Sequence, residues 1–280
     1  MKKLTVWAGA AALATQVAWV SPLLAASEMT ATADSATETE TQAYASKRLQ
    51  DMAQWLAGLK EYTVTMSANY DVVQESGQKI EFGELRKISV LRPDHARIEQ
   101  QASDGRRDLL LFDGENITVL DASRNVFAQA PTPGEDLDDA INYLLDSLKL
   151  RLPLAPLLMA TFPQELRRHV VEADLVETTD LLGSSADSIA ARTQEVDFQV
   201  WIARGAQPWP LRIVINYRSM PGSPQFRANL SDWNSSPKFN KQTFVFERPA
   251  GATQIPFAAQ FLTEPTAQAV DAASTQGAKP

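Results

Sequence analysis

The 280-residue sequence contains no cysteine. That absence removes disulfides, thiolate nucleophiles, cysteine-ligated zinc, iron–sulfur clusters and the lipidated cysteine of a lipoprotein. Histidine is scarce: His95 and His169 are the only two, far apart and in no HxxH or HExxH spacing, so no metal site is expected. Basic residues are in deficit, 26 Lys and Arg against 34 Asp and Glu for a net charge of −8. Nucleic acid is therefore not an expected partner, because such affinity comes mainly from lysine and arginine on phosphates. Nucleotide-binding glycine loops are missing, and Gly183-Ser184-Ser185-Ala186 lacks the second glycine of a nucleophile elbow. Carboxylates this numerous pair by chance, so no glycosidase pair is read from them. No enzyme activity, catalytic residue or cofactor is expected.

What is present is an ordinary globular composition, 44% hydrophobic and 21% charged, which excludes wholesale disorder and a multi-span membrane protein. Lys2 and Lys3 precede the apolar run Leu4–Ala14, and Ser21-Pro22-Leu23-Leu24-Ala25-Ala26 supplies a breaker followed by small residues. This is the pattern of a cleavable signal peptide, residues 1–26, delivering an unlipidated protein to the periplasm. Residues 27–43 have Met29 as their one large apolar side chain and are expected to form a flexible linker. Residues 44–257 form the expected domain, and 258–280 an expected disordered tail.

Inside that domain the hydrophobic period changes in order. Leu49, Met52, Leu56 and Leu59 fall at helical spacing, whereas Tyr62, Val64, Met66, Ala68, Tyr70 and Val72 alternate as one face of a strand. Strands follow at hairpin spacing over 80–91, 96–101, 106–113, 115–121 and 125–130. Pro131-Thr132-Pro133-Gly134 breaks the sheet; Leu137, Ala140, Ile141, Leu144, Leu145 and Leu148 then mark an apolar helical face, and a proline-punctuated apolar segment runs from Leu154 to Phe162. Strands resume near Leu175 and over 188–195, 196–203, 211–219, 225–233 and 242–248. The pattern predicts an α+β fold of about eleven antiparallel strands with a leading helix and a helical insertion.

A solvated sheet face should alternate, yet Leu109-Leu110-Leu111-Phe112 and Phe198-Gln199-Val200-Trp201-Ile202 are apolar on both sides. Something must cover the second face. The helical segments are the apolar elements left over, so a strongly curved sheet with its concave face roofed by helices is expected.

Gly83–Asp94 and Leu111–Asp121 resemble the opening sheet of the LolA-like periplasmic lipoprotein carriers, and Thr243–Ala252 resembles their final strand and its proline–glycine turn. Arg92-Pro93-Asp94, Phe112-Asp113-Gly114, Val196–Ile202, Ser231-Asp232-Trp233 and Pro249-Ala250-Gly251-Ala252 are more similar still to a family of predicted periplasmic proteins, a domain of unknown function in that superfamily. The resemblance implies a half-barrel with a hydrophobic cavity under a helical lid. The arginine that locks the carriers' lid by hydrogen bonding to it falls on Arg92. The ligand-binding residues expected from the resemblance and the apolar pattern are Arg92, Leu110, Phe112, Leu144, Leu148, Leu154, Leu157, Leu158, Phe198 and Trp201.

Two functions fit these observations. One is a carrier or chaperone for a lipid or an acylated lipoprotein. A chain of about sixteen carbons, at about 0.8 kcal/mol per buried methylene, offers about 12 kcal/mol gross, so a lid must both protect the empty groove and permit release. Membrane contact is expected to be transient, because losing Lys2 and Lys3 makes an acidic chain more acidic and anionic surfaces repel it. The alternative is an envelope interaction or sensor module that uses the same half-barrel to hold a protein partner. A continuous apolar cavity between sheet and helices would support the carrier, and a packed one the interaction module.

Overall fold

The leading helix docks because its apolar residues recur on one side: Ala45, Leu49, Met52, Ala53 and Leu56 are all buried. In this computed structural model, which describes residues 26–257 with side chains from Thr39 onward, the helix is α1 (Ala26–Gly58). The expected signal peptide up to residue 25 and the expected tail 258–280 lie outside the described residues. Residues 27–43, expected as a flexible linker, belong to α1 in the structure, and they contain neither proline nor glycine to stop it. The body described below starts at Thr41.

Two meanders make one sheet. The first comprises β1 (Glu61–Val73), β2 (Lys79–Leu91), β3 (His95–Ala102), β4 (Arg107–Asp113), β5 (Asn116–Asp121) and β6 (Val126–Pro131). The second comprises β7 (Glu172–Thr179), β8 (Ala186–Arg192), β9 (Val196–Ala203), β10 (Pro210–Tyr217) and β11 (Gln225–Asn234). A short β12 (Thr253–Gln254) pairs parallel with β6; the other pairings are antiparallel. The strand order β12-β6-β5-β4-β3-β2-β1-β11-β10-β9-β8-β7 makes an open, curved twelve-stranded sheet. The long hairpin β1–β2 at its centre stays in register from Glu61↔Leu91 to Val73↔Lys79, and Gly77, at φ +83°, supplies the left-handed residue its turn requires.

Strand order also explains the roof. β6 lies beside β12 at one end of the sheet and β7 is the strand at the other, so the chain between them must cross the whole sheet. That crossing contains α2 (Leu137–Asp146), a 3₁₀ turn (Ala155–Leu158) and α3 (Phe162–His169), and its apolar residues face the inner side of the strands. The core lies between.

The outer side is covered differently from expectation. Period-two alternation splits the apolar runs: Leu110 and Phe112 face the roof, whereas Leu109 and Leu111 join a separate outer cluster with Leu120, Phe127, Phe244 and Ala252. Residues 242–248, expected as a strand, form turns and irregular backbone laid over β4–β6. Phe239, Phe244 and Phe246 are the anchors of this clasp, with Phe239 and Phe244 edge to face at 5.0 Å. The alternating phenylalanines that imitate a strand pattern serve here as side-chain cover, without a hydrogen-bonded partner strand.

Candidate functional site

Pairing registers arrange the inner face of the first meander in transverse rows. One row runs Tyr62, Val90, Ala96, Phe112, Ile117; the next runs Val64, Ile88, Ile98, Leu110, Val119, Ala128. A third row changes character: Met66, Arg86, Gln100, Asp108, Asp121. From β2 to β5 the face thus turns polar in this row, whereas on β1 it stays apolar through Ala68, Tyr70 and Val72.

Over the apolar rows lie Leu137, Ile141 and Leu144 of α2, Leu157 and Leu158 of the 3₁₀ turn, and Phe162 of α3, all buried. The space left between the turn and the strands is about 20 Å³, room for about one water. The interior is therefore filled by side chains. A larger free volume, about 900 Å³, lies elsewhere, in a solvent-open groove on the outer face between the sheet and the clasp, with Lys87, Arg97, Glu99 and Glu247 among its walls.

The roof is bound firmly to itself and lightly to the strands. Asp138 accepts from the Ala160 and Thr161 backbone N–H groups at 2.7 and 2.8 Å and from the Thr161 hydroxyl at 2.6 Å, joining the start of α2 to the start of α3. Towards the strands, Tyr62 donates its hydroxyl to the Leu157 carbonyl at 3.3 Å, and the Leu137 N–H donates to the Pro93 carbonyl at 2.8 Å. Burial holds the Tyr62 phenol well above its ordinary pKa, so it stays a donor. Leu154, which opens the 3₁₀ turn, has a left-handed backbone, φ +63° and ψ +18°, a conformation costly for a branched side chain.

Of the residues expected to bind a ligand, Leu110, Phe112, Leu144, Leu157 and Leu158 belong to this one buried cluster, and Leu148, Leu154 and Phe198 pack half-buried against it. Trp201 does not. It stands on the outer side of β9, opposite in parity to Phe198, Val200 and Ile202, with the Arg212 guanidinium 5.6 Å from its ring centre. Arg92 also differs from expectation. Its Nε donates to the Leu59 carbonyl at 3.1 Å and its backbone N–H to the Lys60 carbonyl at 2.8 Å, so it fastens the link from α1 to β1; its Nη2 is buried and, among the described residues, has no hydrogen-bond partner in the roof.

Several inward-facing charged residues, Arg86, Asp108, Asp121 and Asp187 among them, carry no signal in the composition or the motifs. Arg86 donates from Nε to Gln100 at 2.9 Å and lies with Nη2 2.7 Å from Glu84 Oε1. Asp108, one strand beyond Gln100, has its carboxyl raised to about 6 by burial, against the opposing pull of Arg106. Asp187, 1% exposed, accepts from Tyr44 Oη at 2.8 Å, Arg48 Nε at 3.1 Å and Thr178 Oγ1 at 2.9 Å, tying α1 to β8. The available signal was parity: each occupies the inward position of its strand, in step with Ile88, Leu110, Val119 or Ile189. Among the described residues no group of three His, Cys, Asp or Glu is placed to hold a metal ion.

No curated protein matches the sequence. Among solved structures, the lipoprotein LppX of Mycobacterium tuberculosis is similar at 16% identity and TM-score 0.46, over 70% of this chain and 98% of that one. A LolA superfamily protein of Nitrosomonas europaea is similar at 9% identity and TM-score 0.38, over 72% and 97%. The MucA/MucB complex of Pseudomonas aeruginosa contains a chain similar at 15% identity and TM-score 0.39, over 72% and 61%. The family model described as predicted periplasmic protein (DUF2092) matches residues 45–258, and the chain belongs to that family.

Proposed function

We propose that this is a periplasmic binding protein of carrier or chaperone type, exported by a cleaved signal peptide without lipidation, that holds the acyl chain of a lipid or lipoprotein on the inner face of its sheet. The observation that carries the reading is the asymmetry of the roof. It is internally tied through Asp138, yet among the described residues it meets the rest of the fold mainly through apolar side chains, with one hydrogen bond to Tyr62 of β1, one to Pro93 in the turn after β2 and one from Arg167 to Gln50 of α1. Such a roof can leave as a body. With about 20 Å³ free beneath it, a bound acyl chain would have to displace Leu157 and Leu158 from the strands. Exchange of leucine for acyl chain keeps the strands covered, so little apolar surface is exposed in either state.

The filled interior by itself favours a second reading, an envelope interaction or sensor module whose inner face is core, and the carrier rests on the roof alone. The two diverge experimentally. Protein purified from a bacterial envelope, analysed by native mass spectrometry and organic extraction, should release lipid and then bind an apolar fluorescent probe saturably. Absence of lipid and of saturable probe binding would refute the carrier, and recovery of one envelope protein without lipid would establish the module.

A further inference from the structure

We infer that the ligand of the inner face carries an anionic head, a carboxylate or its equivalent, and that Arg86 receives it. This rests on the hydrophobic-ligand reading above and adds the chemistry of the ligand's other end. Among the described residues that bound the space between the 3₁₀ turn and the strands, Arg86 alone is charged; the others include Tyr62, Val64, Ile88, Leu154 and Leu158. Its side chain is 6% exposed. A buried guanidinium is costly unless its donors are used. The Nε donor is used, on Gln100 at 2.9 Å. The terminal donors are not well placed: Nη2 lies 2.7 Å from Glu84 Oε1, yet that oxygen has no hydrogen bond of acceptable geometry. Arg86 is thus charge-compensated but keeps the planar fork that suits a carboxylate.

Position supports the assignment. Arg86 sits across from Met66, one row beyond Val64, Ile88 and Ile98, where β2, β3 and β4 turn polar beside the apolar core that continues along β1. An extended chain lying along the rows from Val90 to Arg86 spans about 13 Å of β2 and brings its polar end to the guanidinium. Asp108, two strands further along the same row and about 10 Å away, repels an anion and confines it to the Arg86 end.

The test uses the full-length secreted protein with dansyl-labelled undecanoic acid and its methyl ester, titrated by fluorescence. The acid should bind roughly tenfold to a hundredfold more tightly than the ester. Arg86→Met should bring the acid to the affinity of the ester, and Arg86→Lys should retain part of the preference. Equal binding of acid and ester by the unmodified protein, or an equal loss of both in Arg86→Met, overturns the assignment and leaves the hydrophobic-ligand reading standing. Binding of neither probe overturns both. Should Arg86→Met fail to fold, Glu84→Gln removes the competing carboxylate: it should tighten the acid alone, and equal changes in both probes refute the role of Arg86.

Discussion

Asp138 and Thr161, 23 residues apart, are joined twice: one carboxylate oxygen of Asp138 accepts both the Thr161 hydroxyl at 2.6 Å and its backbone N–H at 2.8 Å. With the Ala160 N–H on the other oxygen, a single buried side chain satisfies the start of α3 and fixes α2 to it.

Replacing that carboxylate strands two backbone donors in a region of low water content. Asp138→Ala should cost about 2–4 kcal/mol and should act first on the roof. Limited proteolysis between residues 147 and 161 should accelerate well before the sheet unfolds. An unchanged cleavage rate there would show that the roof is held by its apolar contacts alone.

Asp187 makes a second prediction, at the other side of the core. Its carboxylate compensates Arg48, whose side chain is 13% exposed and which also donates to the Ala203 carbonyl at 2.9 Å. Asp187→Ala leaves that guanidinium buried without its counter-charge, at an expected cost of about 3–5 kcal/mol. Chemical denaturation should show the loss as a lower midpoint. Arg48→Met with Asp187→Leu should recover much of it, because an apolar pair removes both charges together.

The pH dependence follows from Asp108. Its carboxyl is raised to about 6 from the ordinary 3.8 by burial, so the folded protein holds this proton more tightly than the unfolded chain does. Stability from this group is therefore greatest below about pH 4, falls as pH rises through about 6, and is constant above. Asp108→Asn should raise the free energy of unfolding near pH 7 by up to about 3 kcal/mol and leave it unchanged near pH 3. Urea unfolding across that range measures the difference directly.

Much of this architecture was legible because period two is a strong signal wherever one face is buried. Tyr62 to Val72 alternate without a break, and the breaker Pro131-Thr132-Pro133-Gly134 marks where the sheet stops. What remained hidden is non-local. Nothing in the segment from Leu137 to His169 states that β6 and β7 lie far apart in the sheet, yet that separation makes the segment a roof. Leu109 and Leu111 announce that a second face is covered but not by what, and Phe244 and Phe246 imitate a strand while serving as the cover. Arg86, Asp108 and Asp187 are not legible as inward residues, because a lone charge in a strand usually points to solvent. Trp201 departs from expectation for the converse reason, since an aromatic in a strand usually points inward and this one lies against Arg212 on the outer side.

The clasp itself yields the last prediction. Phe244 is 6% exposed and sits between Phe239 and the His95 ring, whose centre is 5.4 Å away, so its removal opens the cover over Leu109, Leu111 and Leu120. Phe244→Ala should cost about 3–5 kcal/mol, whereas Val245→Ala, at a half-exposed neighbour, should change stability by about 0.5 kcal/mol or less. The newly exposed patch lies on the outer face, where the roof cannot reach. Dye binding and self-association should therefore rise in Phe244→Ala, while binding of the fatty-acid probe proposed for the inner face, measured below the unfolding transition, stays unchanged. A parallel loss of inner-face binding would mean that the clasp also shapes the curvature of the sheet, because Leu109 and Leu111 share β4 with Leu110 and Phe112.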